Sequence, residues 1–120
     1  MKSGKRGEDF VCEYLKKRGA KILCRNYICR FGEIDIISQM DDILIFTEVK
    51  TREENSLVLP IEAVDLNKQR KLIKSAEVYI KFTANYNQPR FDVASVVTKE
   101  GKPVSVDYLE NAFFAKGTYL

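Results

Sequence analysis

The sequence contains no histidine among its 120 residues. Mechanisms that need an imidazole base are therefore excluded, including the Ser-His-Asp and Cys-His nucleophilic schemes. Three cysteines, Cys12, Cys24 and Cys29, cannot all pair within one chain, and they form no CxxC motif. This spacing and the missing histidine argue against a zinc site, so we expect reduced, half-buried thiols.

Long apolar runs and a strong net charge are also missing. No segment approaches the ~20 apolar residues of a membrane span, and no apolar region of the signal-peptide kind follows the basic N-terminus. The 20 Lys and Arg against 17 Asp and Glu leave a net charge of +3, which permits nucleic-acid binding without requiring it. We expect one cytoplasmic domain spanning residues 1–120, with no membrane segment.

The apolar pattern predicts two helices and five strands. The helices cover residues 4–18 and 67–82, with Ser3 and either Asp65 or Asn67 as N-caps. The strands cover residues 20–27, 31–38, 42–52, 90–97 and 104–109. Residues 53–60 are predicted to form a loop and residues 110–120 a helical turn that packs Phe113 or Phe114. This order predicts an α/β fold, with a central mixed sheet of about five strands flanked by helices.

Charged residues interrupt the two most apolar strands, which a short turn predicts to be an antiparallel hairpin. In the third strand Glu48 and Lys50 share a face, because side chains alternate along a strand. By the same rule, the side chain of Asp35 lies on one face of the second strand, and those of Ile34 and Ile36 lie on the other face. Pairing Ser38 with Ile43 would put Asp35 opposite Phe46 and make Glu48 a diagonal neighbour at about 7 Å.

Two carboxylates placed close together near a core repel each other, and a divalent cation relieves that repulsion. Mg²⁺ prefers oxygen ligands and is often held by one or two protein carboxylates. Lys50 is then placed to hold a water or to stabilise developing negative charge, which indicates phosphodiester hydrolysis. The alternative is structural: Glu48 and Lys50 form a salt bridge at a strand end, and Asp35 caps a turn.

The segments "GEID" at 32–35 and "FTEVKTR" at 46–52 resemble the PD-(D/E)xK nuclease superfamily. With "GKRGEDFVCEYLKKRG", "AVDLNKQRKL" and "RFDVASV", the chain resembles the superfamily's YraN-like family, which is similar to archaeal Holliday junction resolvases. The resemblance implies a restriction-endonuclease-like core and a metal-dependent endonuclease.

The resemblance also assigns roles to individual residues. It implies Asp35 and Glu48 as ligands of Mg²⁺, or of Mn²⁺, with the carbonyl of Val49 as a third ligand. It implies Lys50 as the catalytic lysine and Glu8 as the acid from the first helix that completes the site. The helical wheel independently places Glu8 at the edge of that helix's apolar face. Ile73 stands where related nucleases carry a tyrosine, so the role of Gln69 stays open.

Basic residues near these acids are candidate phosphate contacts. Lys68 is predicted to lie on the edge of the second helix, whereas Arg70 and Lys71 point outward. The alternative is a solvated helix face. Arg90 and Asp92 are expected to form a structural pair. The nucleic-acid-binding candidates are Lys5, Arg6, Arg52, Lys68, Arg70 and Lys71.

Three functions remain open from the sequence. The first is a metal-dependent endonuclease acting on branched or otherwise structured DNA in repair or recombination. The second is a non-catalytic nucleic-acid-binding module that retains the nuclease fold. The third, a structural or partner-binding protein, leaves the acids at the core edge unexplained. The resolvase-like relatives act as dimers on symmetric junctions, so a homodimer is the expected assembly.

Overall fold

A five-stranded mixed sheet forms the centre of the fold, with one helix packed on each face. The computed structural model describes residues 4–55 and 64–114. The predicted α/β class and number of strands are confirmed. The elements in chain order are α1 (Gly4–Lys17), β1 (Lys21–Cys29), β2 (Gly32–Met40), β3 (Ile43–Glu53), α2 (Leu66–Thr83), β4 (Gln88–Lys99) and β5 (Lys102–Phe113).

The strands lie in the order β1-β2-β3-β4-β5. Neighbouring strands are antiparallel except for β3 and β4, which are parallel. A parallel pair needs a long crossover connection, and α2 lies within the chain segment that supplies it. The predicted hairpin of β2 and β3 is confirmed.

Each face of the sheet buries its own apolar cluster. Under α2, Leu72, Ala76 and Tyr79 pack against Phe46 and Phe91. Under α1 the members are Val11, Cys12, Leu15, Ala20, Ile36, Ala94 and Val96. The three cysteines are free thiols, as predicted; Cys24 and Cys29 are half-buried, whereas Cys12 is buried. Neither helix is long and apolar enough to cross a bilayer, within the part of the chain that the structure describes.

The end of α1 and the start of α2 lie within one residue of their predicted positions. Gly19, with φ of +96°, follows the last turn of α1, and its amide donates to the Lys16 carbonyl at 3.0 Å. Asp65 caps α2, because its side chain accepts a hydrogen bond from the Lys68 amide at 2.8 Å. The predicted Ser3 cap, residues 56–63 and residues 115–120 lie outside the described residues.

The register of the β2–β3 hairpin differs from the prediction by two residues. Met40, not Ser38, pairs with Ile43, and Phe46 pairs with Ile37. The reason is a tighter turn, in which Asp41 adopts a left-handed φ of +54°. The observed register brings Asp35 level with Glu48 instead of with Phe46.

Side-chain alternation in β2 also differs from the prediction. Ile34 packs under α2 whereas Ile36 packs under α1, although the prediction placed both on one face. The break lies level with Asn26 of β1, which has a left-handed φ of +53° and lies between the pairs Arg25–Ile36 and Tyr27–Ile34. The register of the two strands does not shift there.

The predicted helical turn after residue 109 is wrong in the part that is described, because β5 continues to Phe113. Phe113 pairs with Phe91 and stacks on its ring at a centroid distance of 5.1 Å. Phe113 is buried, as one of the two predicted alternatives, whereas Phe114 is exposed. Burial of this aromatic pair favours the extended strand over a separate turn.

Candidate metal and phosphate site

Asp35 and Glu48 lie side by side on neighbouring strands and are only 6% and 4% exposed. The amide of Val49 donates to Asp35 Oδ2 at 2.8 Å. Burial is the largest cause that raises the pKa of Asp35 to about 7; the charges of Glu48 and Glu8 contribute to this rise, and the Val49 amide opposes it. The structure therefore brings together the two predicted metal ligands in surroundings that favour a proton or a cation at Asp35.

Two lysines contact the Glu48 carboxylate. Lys50 Nζ lies 3.4 Å from Glu48 Oε2, and Lys68 Nζ lies 3.2 Å from the same oxygen. Lys50 lies on the same face of β3 as Glu48, as strand alternation predicted. Lys68 comes from the first turn of α2, on the helix edge that the sequence predicted. Both ammonium groups are partly exposed, whereas Glu48 is buried.

Glu8 is buried at 4% exposure in α1, as its place on the helical wheel predicts. Its Oε1 lies 3.6 Å from the Arg25 guanidinium, which also pairs with Asp9 at 2.7 Å. Sequence reasoning missed Arg25. The available signal was a lone arginine in the otherwise largely apolar segment of β1. The role of Glu8 as a metal ligand stays a prediction.

The residues present fit a hard divalent cation held by few protein ligands. Among residues 4–55 and 64–114, no three Asp, Glu, Cys or His side chains gather closely enough to hold a metal by themselves. Mg²⁺ commonly uses one or two carboxylates and keeps several waters. The buried pair of Asp35 and Glu48, with the raised pKa of Asp35, is a donor set of that kind.

Arg6 and Arg52 line one pocket of ≈ 220 Å³ beside the N-terminal part of α1. Arg52 also pairs with Asp107 at 2.8 Å. Lys5 is exposed next to Arg6, and Arg70 and Lys71 are exposed on α2. The side chain of Gln69 donates to the Val64 carbonyl at 3.0 Å, a contact that anchors the start of α2.

A further buried acid on the sheet, Asp92, has a full set of hydrogen-bond and ion-pair partners. Asp92 is 1% exposed and pairs with Arg90 at 2.9 Å, as predicted. It also accepts hydrogen bonds from Tyr108 Oη at 2.6 Å and from the Asn111 amide at 2.9 Å. Burial and the charge of Asp92 raise the pKa of Tyr108. With its partners satisfied, this acid differs from the pair at Asp35.

Comparison with known proteins decides the family. The model of "Uncharacterised protein family UPF0102" matches residues 7–96. The chain belongs to UPF0102. This is the YraN-like family of the PD-(D/E)xK nuclease superfamily, so the predicted resemblance is confirmed. The match includes Glu8, Asp35, Glu48 and Lys50 within its bounds.

Relatives in this UPF0102 family extend over nearly the whole chain. A UPF0102 protein of Dictyoglomus thermophilum is 48% identical over 112 residues, which cover 92% of this chain and 95% of the relative. One of Dictyoglomus turgidum is 46% identical with the same coverage. One of Pseudomonas aeruginosa is 35% identical over 115 residues, covering 93% and 92%.

Proposed function

We propose that this protein is a divalent-cation-dependent endonuclease that hydrolyses phosphodiester bonds in branched or otherwise structured DNA. One observation carries the proposal: Asp35 and Glu48 are buried side by side, and two lysines converge on Glu48. Membership of a nuclease superfamily supports the same reading. Repair or recombination is the process in which such DNA arises.

The proposed roles combine the charges in the site with those that the resemblance to PD-(D/E)xK nucleases implies. Asp35 and Glu48 hold Mg²⁺ or Mn²⁺, with the Val49 carbonyl and Glu8 as further candidates. The bound cation supplies a Lewis acid for water and for phosphate. Lys50 orients the attacking water or stabilises the negative charge that develops around phosphorus. Hydrolysis joins the water oxygen to phosphorus and breaks one phosphorus–oxygen bond, and the leaving oxygen ends protonated.

The nucleic acid is proposed to contact the basic residues around this site. Arg6 and Arg52 share one pocket, and Lys5 lies exposed beside Arg6. Lys68 faces Glu48, whereas Arg70 and Lys71 offer exposed charges on α2. Phosphate contacts of this kind position DNA without reading its sequence. A homodimer would present two such sites to a symmetric junction.

A second candidate is a non-catalytic module that binds nucleic acid. One observation favours it: Lys50 and Lys68 neutralise Glu48 without any metal. In such a module these ion pairs would be the permanent state of the site. The buried position of Asp35 beside Glu48 favours the endonuclease instead, because a divalent cation relieves the repulsion between two buried carboxylates.

Cleavage assays test the proposal directly. Purified protein with Mg²⁺ or Mn²⁺ is incubated with four-way, flapped, single-stranded and duplex DNA. We expect cleavage of at least one structured substrate and a loss of roughly 100-fold or more in Glu48→Ala, since a metal ligand is removed. Glu13→Ala, which removes an exposed acid on α1, should cleave at the wild-type rate.

Two results would count against the endonuclease. Absence of cleavage on every substrate rejects it, and so does cleavage that Glu48→Ala leaves unchanged. Metal-independent DNA binding without cleavage would support the non-catalytic module.

A further inference from the structure

Lys68 reaches Glu48 from outside the sheet. It is the third residue of α2, and its backbone amide donates to Asp65 Oδ1 at 2.8 Å. The neighbouring Gln69 side chain donates to the Val64 carbonyl at 3.0 Å. Because two hydrogen bonds fix this helix start, the Lys68 side chain begins from a defined position. Its ammonium lies at least as close to Glu48 Oε2 as that of Lys50, at 3.2 Å against 3.4 Å.

Glu48 and Asp35 differ in their charged neighbours. Glu48 contacts two ammonium groups, although a single lysine would balance its charge. Asp35, in contrast, has the acids Glu48 and Glu8 among its charged neighbours. A divalent cation at Glu48 would compete with both ammonium groups, since like charges repel at this range. Lys68 is 41% exposed, so a displaced ammonium can turn toward a phosphate oxygen.

We propose that Lys68 is a second active-site lysine. It neutralises Glu48 in the metal-free protein, yields that carboxylate to the divalent cation, and then donates to a phosphate oxygen of the DNA. The first part concerns metal binding alone. The phosphate contact rests on the proposed endonuclease function. Lys68 would thereby couple occupation of the metal site to capture of the scissile phosphate.

Metal affinity tests the first part without any cleavage. Mn²⁺ is titrated into wild type and Lys68→Ala at pH 8 and constant ionic strength, with free Mn²⁺ read by electron paramagnetic resonance. We expect Mn²⁺ to bind about 3- to 10-fold more tightly to Lys68→Ala, because no ammonium then competes for Glu48. Lys68→Arg keeps the charge and should stay near the wild-type affinity.

The matched control is Lys81→Ala. Lys81 is an exposed lysine in the last turn of the same helix, roughly 20 Å along the axis from Lys68. It removes the same charge without touching Glu48, so its Mn²⁺ affinity should equal that of wild type. Unchanged affinity in Lys68→Ala would overturn the proposal, as would an equal tightening in Lys81→Ala.

Cleavage tests the second part. At saturating Mn²⁺ under single-turnover conditions, Lys68→Ala should cleave structured DNA about 10- to 100-fold more slowly, with a smaller change in DNA affinity. Lys68→Arg should recover part of the rate. A rate within twofold of wild type would reject the phosphate contact. If wild type cleaves no DNA, the endonuclease function fails, and the Mn²⁺ titration still decides whether Lys68 competes at Glu48.

Discussion

The carboxyl of Asp35 lies between opposing influences. The Val49 amide favours its charged form, whereas burial and two neighbouring acids favour its protonated form. The balance leaves the pKa of Asp35 at about 7, well above the ordinary carboxyl value of 3.8. The proton on this single side chain therefore links folding, metal binding and pH.

The first prediction concerns the stability of the metal-free protein. The folded state holds the Asp35 proton more tightly than the unfolded state, so this group's stabilising contribution is complete below about pH 4 and is lost by about pH 7. We expect the free energy of unfolding to fall across that range by on the order of 1–4 kcal/mol. Urea unfolding with a chelator present, from pH 4.5 to pH 8, measures it.

Two substitutions separate this effect from general titration. Asp35→Asn should remove most of the pH dependence, since the amide does not ionise. Asp41→Asn changes an exposed acid in the hairpin turn, where asparagine tolerates the left-handed backbone. It should keep the wild-type slope. A slope that persists in Asp35→Asn would assign the effect to other groups.

At the scale of elements, the approach of α1 to β3 depends on Gly7. A Cβ at this position would lie 2.9 Å from Thr51 Cγ2, closer than side-chain carbons pack. The next nearest atoms, on Val96 and Val49, are at ordinary contact distances of 3.6 and 3.7 Å. One methyl group therefore decides how closely the helix lies, and the same helix carries Glu8 one residue later.

The second prediction follows from that contact. Gly7→Ala should destabilise the protein by about 1 kcal/mol or more, because steric conflict in a packed region outweighs the better helix propensity of alanine. In a Thr51→Ser background the methyl is absent, and Gly7→Ala should then stabilise by roughly 0.5–1 kcal/mol. Thermal and urea unfolding of the four proteins test the reversal. The same sign in both backgrounds would show that Thr51 does not set the distance.

How far the sequence predicts these elements depends on the range of the interactions involved. The shared face of Glu48 and Lys50 follows from the strand repeat, and the buried edge position of Glu8 follows from the helix repeat. Both are local patterns. The sequence predicted Asp35 and Glu48 only as diagonal neighbours. The observed turn is shorter than predicted, with a left-handed Asp41, and it brings the two residues level.

The remaining features depend on tertiary contacts. Ile34 and Ile36 lie on opposite faces, level with the left-handed Asn26 of the neighbouring strand. Stacking of Phe113 on Phe91 extends β5 beyond its predicted end. The contact between Arg25 and Glu8 joins β1 to α1. The periodicity of one segment does not indicate which residues of another segment it contacts. These contacts therefore could not be predicted from the sequence.

At the scale of the whole molecule, the position of the charges matters more than their sum. The net charge is only +3, but Arg6 and Arg52 share one pocket. If the protein binds DNA as proposed, local basic groups and not the overall field would attract it. Each phosphate contact should then contribute separately to the salt dependence of binding.

The third prediction measures that contribution. Arg6→Ala should weaken DNA binding about 3- to 10-fold and lower the slope of log affinity against log salt by about 1. Fluorescence anisotropy between 50 and 200 mM salt gives both values. Lys16→Ala is the control, since Lys16 lies in the last turn of the same helix and pairs with Glu13. Equal slopes in wild type and Arg6→Ala would remove Arg6 from the interface.

The topology of the sheet has a kinetic consequence. The β2–β3 hairpin closes through a tight turn, so it brings Asp35 and Glu48 together at low cost in loop-closure entropy. Lys68 of α2 reaches Glu48 only when the longer crossover between β3 and β4 has formed. Because local contacts form early in folding, the two acids meet before the second ammonium group reaches them. Burial is the main cause of the raised pKa of Asp35, so uptake of a proton from water is expected when the helices close over the hairpin, and not when the hairpin itself forms.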